Sequence, residues 1–503
     1  MSKTRMQRRD FLKTGTVGLG ALALAPSVLK GAAAEKRKPN IIVIMADDIS
    51  AKEFPTYGIP NPTYKDAPCA TPVMERMKNE GVQFKHAWAT PLCHPTRGMI
   101  MTGRYAYRTR WWSNEFTPAQ GEKGHSLYDE NLVFSHIAKK AGYACQMVGK
   151  WQLGGTFEGH GFDEYVMTPA GSYAARAPKE KKMDGTGQGK PSFYWNPGYS
   201  LHNHPDYPES SEKGQSFPTT WDDFAPDIEL KYIKDFIRRK HRAEQPFFVY
   251  WAAHLGHKNW DFEGDRMDYP GVPARDKTGK WIGERTGPGL NHHVEYLDYC
   301  FGEIIRELEA LGIRENTIIL FTTDNGTTEY GKGLKGCVKE KGAKVPMIIW
   351  GPGIVKARGE ADELTDLADI TPTIAELTGA PLPDGYTFDG QSLVPFLIGE
   401  AEHHRDWIYS YNAEYQMVRT RSVVRDGLGM YWDTRGVKEQ EDYREIGENR
   451  DPELRKDIEL IERVLKRFPT PDLNTEMFRR YLREKAQSRA NWEKLKERIL
   501  GGR

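Results

Sequence analysis

The sequence predicts an α/β fold, a mostly parallel β-sheet sandwiched by helices, with a smaller antiparallel unit and helices after it. Between residues 41 and 377, short apolar runs alternate with stretches of helical periodicity, which favours a parallel sheet. Several apolar runs end in acidic or amide residues, as expected where strand ends face a ligand site. After Gly399 this alternation stops. The 503 residues suffice for one large domain and a smaller one.

Five apolar runs predict buried strands. They are residues 41–46, 145–148, 246–252, 317–322 and 347–350. The first run is followed by Asp47-Asp48 and the fourth by Asp324-Asn325. In such sheets the carboxyl ends of neighbouring strands lie at one edge, so these two acidic pairs are expected to meet.

Helices are predicted where apolar residues recur on one face between capping signals. The first begins at Thr71-Pro72 and ends at Gly81, and others cover 132–141, 294–311 and 364–377. Residues 166–225 are rich in Gly, Pro and Lys and predict a substrate-side insertion. Segments 407–411 and 419–424 predict short antiparallel strands. Residues 450–503 predict a charged helical tail with one apolar face, formed by Leu454, Ile458, Ile461 and Leu465.

The N-terminus predicts export. The run from Arg8 to Lys13 is similar to the twin-arginine consensus, and a weakly apolar stretch and small residues at 32–34 follow. The stretch is too short and glycine-rich to span a bilayer well. We therefore expect a Tat signal peptide at 1–34, the Tat translocon as a partner and a periplasmic or secreted protein. The remaining chain divides into a catalytic domain at 36–400 and a C-terminal subdomain at 401–503.

Charge and cysteine content exclude several classes of function. The formal net charge of +1 gives no basic footprint for nucleic acid. Five cysteines without a CxxC pair argue against a zinc site and a full disulfide framework. By contrast, Asp47, Asp48, Asp324 and Asn325 are hard oxygen ligands that suit Ca²⁺ or Mg²⁺. One isolated acidic pair would ordinarily be a cap or turn, but two strand-end pairs predict a metal site.

The run Cys93-His94-Pro95-Thr96-Arg97, continued by Thr102-Gly103-Arg104, resembles the signature of the type I sulfatases. From the residues alone, Cys93 could be a buried thiol or a thiolate activated by Arg97. Family-like motifs continue in the same order from about residue 39 to 395. The resemblance implies an alkaline-phosphatase-like fold and sulfuric ester hydrolysis. It also implies that a formylglycine-generating enzyme oxidises Cys93 to Cα-formylglycine.

The resemblance further implies a role for each matched residue. Asp47, Asp48, Asp324, Asn325 and the residue made from Cys93 would hold Ca²⁺, with Mg²⁺ as an alternative. The formylglycine hydrate would attack sulfur, and Arg97 would hold it. Lys150 and Lys335 would bind the sulfate or leaving oxygens, and His257 would act as the acid near the leaving group.

Position 152 departs from the family pattern. The family motif G-K-W-H carries a histidine thought to collapse the intermediate, and this chain has Gln152 there. Glutamine donates a hydrogen bond but does not accept a proton near pH 7. The sequence therefore predicts that another group or water takes the proton, or that turnover is slower.

The substrate class is predicted less sharply than the reaction. Export, 13 tryptophans and the insertion fit sulfate esters of carbohydrates, with Trp111 and Trp112 as a candidate aromatic wall and Tyr194 and Trp195 at the rim. One alternative is a formylglycine-dependent phosphonate or phosphodiester hydrolase. A second alternative, suggested by Gln152, is a pseudoenzyme that binds sulfated glycans.

Overall fold

The computed structural model describes residues 37–59, 64, 69–114, 117, 126–154, 158–167, 194–195, 197, 199–205, 215–217, 219–220, 222–260, 267–328, 335–437, 442–447, 451–472, 476, 479 and 482–483. The predicted signal peptide at 1–34 lies outside this part of the chain, as does most of the tail beyond residue 472. From Lys38 onward the chain forms one compact unit. Among the described helices, none is both long and apolar enough to cross a bilayer.

The strands are numbered in chain order. They are β1 Asn40–Ala46, β2 Val82–Trp88, β3 Ala144–Gly149, β4 Glu164–Met167, β5 Tyr199–His202, β6 Gln215–Phe217, β7 Phe247–Ala252, β8 Asn259–Trp260, β9 Met267–Asp268, β10 Pro273–Arg275, β11 Trp281–Arg285, β12 Thr317–Thr323, β13 Lys344–Val345, β14 Met347–Trp350, β15 Gly359–Asp366, β16 Ile408–Asn412, β17 Tyr415–Arg419, β18 Val423–Arg425, β19 Tyr431–Asp433 and β20 Arg444–Glu445.

The α-helices are numbered in the same way. They are α1 Pro72–Glu80, α2 Cys93–Thr102, α3 Ala106–Thr109, α4 Phe134–Lys140, α5 Ala225–Arg242, α6 Leu290–Ala310, α7 Glu340–Ala343, α8 Ile370–Thr378, α9 Val394–Leu397 and α10 Pro452–Arg467. Several 3₁₀ turns connect these elements.

The main sheet is mixed but parallel at its centre. Within the described residues it has eleven strands, and β1 lies in the middle between β12 and β7, parallel to both. Parallel pairing continues through β3 and β4, while β14 and β5 join antiparallel. Side chains of β1 alternate between two buried apolar clusters, one on each face. The predicted sheet between helical layers is therefore confirmed.

All five predicted strands are present, with ends that differ by at most one residue. The prediction of one helix over 364–377 is wrong at its start. Leu364, Thr365 and Asp366 complete β15 by pairing with β2, and α8 begins only at Ile370. Two long elements were not predicted: β2, which has Lys85 and His86 at its centre, and α5.

The C-terminal unit is a five-stranded antiparallel sheet, β16 to β20, followed by α10. The predicted strand at 419–424 is wrong, because Thr420 starts a turn between β17 and β18 and its hydroxyl accepts a bond from the amide of Val423. The predicted apolar face of the tail is confirmed at Leu454, Ile458 and Ile461. The fourth buried position is Val464, and Leu465 is only partly buried.

A buried ionic cluster connects α8 to the segment that leads into the C-terminal sheet. Arg405 Nη1 lies 2.7 Å from Asp369 Oδ1 and 3.2 Å from Asp366 Oδ2, and all three side chains are buried. The Tyr105 hydroxyl, just beyond α2, donates to the same Asp366 oxygen at 2.7 Å. The cluster thus ties the end of the Cys93 helix to the C-terminal part of the chain.

We expect Arg405→Leu to destabilise the protein strongly, because it leaves two buried carboxylates without their cation. Breaking a buried ion pair from one side costs about 3–5 kcal/mol. Chemical denaturation of Arg405→Leu should show this loss. The exposed pair of Arg76 with Glu80 provides the control, since Arg76→Leu should cost less than about 1 kcal/mol. Equal losses in the two variants would contradict the argument.

Candidate active site

The two strand-end pairs, Asp47-Asp48 and Asp324-Asn325, meet at the carboxyl ends of β1 and β12. The strands pair in parallel register up to Ala46 and Thr323, so Asp47-Asp48 and Asp324-Asn325 leave the sheet side by side. All four side chains are buried. The amide of Asp48 donates to Asp324 Oδ1 at 3.0 Å, and Asp48 has a left-handed φ of 57°. This strained turn directs the Asp48 carboxylate into the site.

Cys93 lies at the first position of α2 and faces these carboxylates. One ligand atom each from Asp47, Asp48, Asp324 and Cys93 lies within 4.8 Å of the others, and Cys93 Sγ is 4.0 Å from Asp48 Oδ1. Burial raises the pKa of Cys93 to about 12, although Lys150 opposes this shift. The thiol is therefore neutral near pH 7, which argues against the alternative of a thiolate activated by Arg97.

Three predicted cations converge on the same carboxylates. Lys150 Nζ lies 2.7 Å from Asp47 Oδ2, and Lys335 Nζ lies 2.6 Å from Asp48 Oδ1. Arg97 Nη2 lies 2.8 Å from Asp324 Oδ2, and its Nη1 donates to the Lys150 carbonyl at 3.4 Å. Each predicted cation thus contacts a different acidic residue, and Arg97 also fixes the backbone that carries Lys150.

The carboxylates titrate unequally because they share one buried space. Burial and the charge of Asp47 raise the pKa of Asp324 to about 7. Burial also acts to raise the pKa of Asp47, but Lys150, His257 and Arg97 outweigh it and hold that pKa well below its usual range. Like charges this close together destabilise each other unless a cation lies among them.

The residues present fit a hard divalent cation. Asp47, Asp48 and Asp324 contribute carboxylate oxygens, the ligands that Ca²⁺ and Mg²⁺ prefer. The amide nitrogen of Asn325 donates to Asp48 Oδ1 at 2.7 Å and to the Gly326 carbonyl at 2.9 Å. This orientation leaves Asn325 Oδ1 as a buried acceptor without a hydrogen-bond partner in the described structure. A bound cation would satisfy that oxygen.

His257 lies beside Asp48 with a defined ring orientation. Its Nδ1 is 2.6 Å from the Lys258 carbonyl, so Nδ1 carries the proton and Nε2 points to Asp48 Oδ2 at 3.4 Å. Burial lowers the pKa of His257 to about 4. The Tyr194 hydroxyl donates to the carbonyls of His254 and His257 and so holds this turn. His254, in the same turn, lies 3.4 Å from buried Glu229.

Gln152 follows Lys150 and Trp151 at the end of β3. Its φ of 69° is left-handed, and its Oε1 is buried with no hydrogen-bond partner among the described residues. The side-chain carbonyl oxygen of Gln152 is therefore a buried acceptor with unused hydrogen-bonding capacity.

Several contacts around the site were not predicted. The Thr328 hydroxyl donates to Asp48 Oδ2. From the C-terminal sheet, Ser410 Oγ donates to the Ala89 carbonyl at 2.7 Å, Asn412 Nδ2 to the Gly336 carbonyl at 3.2 Å, and the amide of Ala413 to the Trp112 carbonyl at 2.8 Å. That sheet thus holds the segments before and after α2 and the loop of Lys335. Thr328 could have been suspected from its place four residues after Asp324.

The predicted aromatic wall and rim residues prove to be buried. Trp111 and Trp112 are 1% and 5% exposed and belong to the core, where Trp111 packs against Gly98 of α2. Tyr194 and Trp195 are also buried. Most of the insertion at 166–225 lies outside the described residues.

Comparisons with known proteins agree with this site. The family model for sulfatases matches residues 39–380, and that of the N-sulphoglucosamine sulphohydrolase C-terminal region matches 328–458. N-acetylgalactosamine-6-sulfatase of Canis lupus familiaris is 29% identical over 73% of this chain and 68% of its own length. Arylsulfatase A of Homo sapiens is 27% identical over 78% of this chain and 74% of its own length.

Solved structures share the fold at low sequence identity. The structure of Ps i-CgsB superposes with a TM-score of 0.61 at 22% identity, covering 86% of this chain and 92% of that one. Phosphonate monoester hydrolase of Agrobacterium radiobacter gives a TM-score of 0.55 at 18% identity, covering 85% and 95%. With the family model spanning most of the described chain, the protein belongs to the sulfatase family and is a sulfatase-type hydrolase.

Proposed function

We propose that this enzyme hydrolyses sulfate monoesters of carbohydrates, using Cα-formylglycine made from Cys93 and a bound Ca²⁺, with Mg²⁺ as the alternative ion. The observation that carries the proposal is the position of Cys93. It begins α2 within 4.8 Å of three buried carboxylates that Lys150, Arg97 and Lys335 surround. This arrangement suits an anionic substrate that must meet a nucleophile beside positive charge.

The chain's own residues supply charge and orientation. Asp47, Asp48, Asp324 and Asn325 would hold the cation, which would supply charge neutralisation for the sulfate, and formylglycine at position 93 would supply a hydrated aldehyde as the nucleophile. The Nζ groups of Lys150 and Lys335 contact two different carboxylates of the acidic cluster, Asp47 and Asp48. When an anionic ester binds, these ammonium groups are placed to contact its oxygens. Arg97 keeps Asp324 and the Lys150 backbone in position.

His257 is placed to exchange a proton at Nε2. Its Nδ1 is committed to the Lys258 carbonyl, so Nε2 is the nitrogen that faces the site. The low pKa keeps the ring neutral near pH 7 in the free protein. A sulfate ester brings negative charge close to the ring and favours protonation, which is what donation to the leaving oxygen requires.

Carbohydrate sulfates are proposed as the substrates because the twin-arginine-like N-terminus predicts a periplasmic or secreted enzyme. Two relatives are named for an amino-sugar sulfate and an aryl sulfate. The partners that follow are the Tat translocon and a formylglycine-generating enzyme, with no role for nucleic acid. A small aryl sulfate would serve as a surrogate substrate.

Peptide mass spectrometry across Cys93, combined with turnover of an aryl sulfate, tests the proposal. Protein from the native host should carry, at position 93, a residue lighter than cysteine by the difference between CH₂SH and CHO. The same protein should release inorganic sulfate from the aryl sulfate. Unmodified cysteine in active protein would refute the formylglycine mechanism, and modified protein without sulfate release would refute the activity.

Phosphonate ester hydrolysis is the second candidate, favoured by the structural likeness to a phosphonate monoester hydrolase. That likeness, at 18% identity, concerns the fold. Parallel measurement of kcat/KM for an aryl sulfate and an aryl phosphonate monoester separates the two activities. The pseudoenzyme alternative is disfavoured by the complete set of acidic, cationic and cysteine side chains at the site.

We expect Ca²⁺ to raise the unfolding temperature of the purified protein after chelation. A cation that binds only the folded state stabilises it by about 2.7 kcal/mol at a concentration one hundred times its Kd. Differential scanning calorimetry in EDTA, Ca²⁺ and Mg²⁺ measures this effect and ranks the ions. An unfolding temperature that is the same in all three solutions would contradict a metal site at these carboxylates.

We expect Gln152→His to raise kcat, by as much as about 10²-fold, because it introduces a group that can accept a proton. Histidine tolerates the left-handed φ at this position better than most residues. Steady-state kinetics over pH should show the gain together with a new ionisation. Gln152→Asn, which also tolerates that backbone, is the matched control and should bring no gain. An unchanged or lower kcat in Gln152→His would show that no base is missing there.

A further inference from the structure

Strand β2 carries two ionisable residues at its centre, where a core strand is expected to be apolar. Lys85 and His86 lie at its centre, between buried Phe84 and Ala87, and both remain partly exposed. Placing a charge inside a large sheet is costly unless the local structure opens to receive it. A departure of this kind from local sequence rules is typical of a functional position.

Beside Lys85 and His86, the regular backbone pairing of β2 with its neighbours is interrupted on both sides. On one side the register with β15 shifts between Ala361 and Leu364, which forms a bulge. On the other side the Tyr57 hydroxyl takes the place of a ladder bond. It accepts from the amide of Met347 at 2.7 Å and donates to the Phe84 carbonyl at 3.3 Å.

A cavity of about 490 Å³ lies at this opening, between the sheet edge and the C-terminal sheet. Its volume falls within the usual range of small-molecule sites. Lysine and arginine dominate its charged lining, with five cations against the two carboxylates of Glu360 and Asp362. The cations are Lys85, Lys344, Arg419, Arg421 and Arg435. Carboxylates behind the lining pair with three of them, Arg419 with Glu340, Arg421 with Glu363 and Arg435 with Asp433.

One ion pair in the lining of the cavity is weak enough to yield to a ligand. Lys85 Nζ lies 2.9 Å from Glu360 Oε1, and each side chain is 42% exposed. Exposed pairs of this kind contribute about 0–1 kcal/mol. Arg421 is 41% exposed, but Glu363, 2.6 Å from its Nη2, is only 7% exposed, so this second pair is held more firmly. A lysine has three N–H donors and an arginine five, so both cations keep donor capacity for an anionic group.

Deeper in the cavity, two polar atoms lack hydrogen-bond partners among the described residues. Arg419, which is 2% exposed, has an unpaired buried Nε, a donor. His86 Nε2 lies 3.0 Å from Asp362 Oδ1, and His86 Nδ1 is buried and unpaired. In the neutral ring, where Nε2–H donates to Asp362, Nδ1 is an acceptor. The lining of the cavity thus combines cations with the neutral polar side chains of His86 and Thr434, which suits a hydroxylated anion better than a bare one.

We propose that this cavity is a second saccharide site, which binds an acidic sugar unit bearing a sulfate or carboxylate group. The same strand leads from the cavity to the candidate active site, since Cys93 follows Lys85 by eight residues, a span of at most about 28 Å. One oligosaccharide could therefore occupy both places. This last step rests on the proposed function, whereas binding of the sugar unit does not.

Equilibrium binding to full-length protein carrying Cys93→Ala tests the proposal without turnover. The probes are a chondroitin sulfate hexasaccharide, its desulfated form and inorganic sulfate. Lys85→Gln with Arg421→Gln should weaken hexasaccharide binding by about tenfold, the scale of two lost charge contacts at a rim. The matched control is Lys139→Gln with Arg306→Gln, two exposed and ion-paired cations elsewhere, which should have no effect.

Three results would overturn the proposal. They are wild-type affinity in a folded Lys85→Gln, Arg421→Gln protein, an equal loss in the control pair, and inorganic sulfate binding as tightly as the hexasaccharide. With Cys93 intact, the ratio of kcat/KM for the hexasaccharide to that for an aryl sulfate should fall in the Lys85→Gln, Arg421→Gln protein and stay constant in the control. If the enzyme released no sulfate at all, the proposed function would be refuted. The binding measurement would still test whether the cavity binds the sugar unit, because it does not depend on turnover.

Discussion

Cys93→Ala is expected to abolish sulfate ester hydrolysis, with a loss in kcat of at least about 10⁴-fold, the scale seen when a nucleophile is removed. The reason lies in the position of the residue. Cys93 begins α2 within 4.8 Å of three carboxylates, and no other described cysteine shares that cluster. The measurement is the initial rate of sulfate release from an aryl sulfate, with the unfolding temperature recorded on the same samples.

Cys300→Ala is the matched control for that variant. Cys300 is also a fully buried, free thiol, but it lies in α6 among apolar side chains. Both changes remove one buried sulfur, so their effects on stability should be similar. Activity that survives Cys93→Ala, or that is lost equally in Cys300→Ala, would show that the reaction does not depend on position 93.

Asp48→Asn is expected to lower kcat/KM by about 10³-fold or more, since it removes charge from the centre of the electrostatic arrangement. Asp48 is contacted by Lys335 at 2.6 Å and by Asn325 at 2.7 Å, and His257 Nε2 lies 3.4 Å away. The substitution keeps the size of the side chain. It should also reduce the rise in unfolding temperature that Ca²⁺ brings, a readout independent of turnover.

Asp298→Asn provides the comparison for Asp48→Asn. Asp298 is buried as well, but it accepts bonds from the amides of Val73 and Met74 at the start of α1. Its substitution should leave the Ca²⁺-dependent rise in unfolding temperature intact. If Asp48→Asn retained the full Ca²⁺ effect and full activity, the acidic cluster would not be the metal site.

The fold was predictable where burial produces continuous apolar runs. Strands β1, β3, β7, β12 and β14 are core strands of this kind, and their ends were found to within one residue. Strand β2 was missed because Lys85 and His86 interrupt its apolar pattern, and β15 was missed because four of its eight residues are acidic. The predicted strand at 419–424 is interrupted by a turn at Thr420, because the Thr420 hydroxyl accepts a hydrogen bond from the amide of Val423.

The candidate site was predictable to the extent that it lies at strand ends and in motifs. The four acidic and amide residues, Cys93 and the three cations all lie where the sequence placed them, in one cluster. Thr328 and Asn412 were missed, and Tyr194 was expected at a substrate rim and not under the His257 turn, because these contacts depend on tertiary folding. Asn412, for example, touches Gly336, 76 residues earlier. The aromatic wall was a wrong expectation, since Trp111 and Trp112 fill the core beneath α2.

The pairing of β1 with β12 also determines when during synthesis the site can exist. Asp48 and Asp324 are 276 residues apart and are brought together only when the two strands pair. Such long-range parallel pairing is slow to form and costly in chain entropy. A ribosome-bound chain that has not yet emerged beyond Thr323 therefore contains Cys93, Asp47 and Asp48 but not Asp324 and Asn325. During that interval Cys93 is not yet enclosed by the completed cluster.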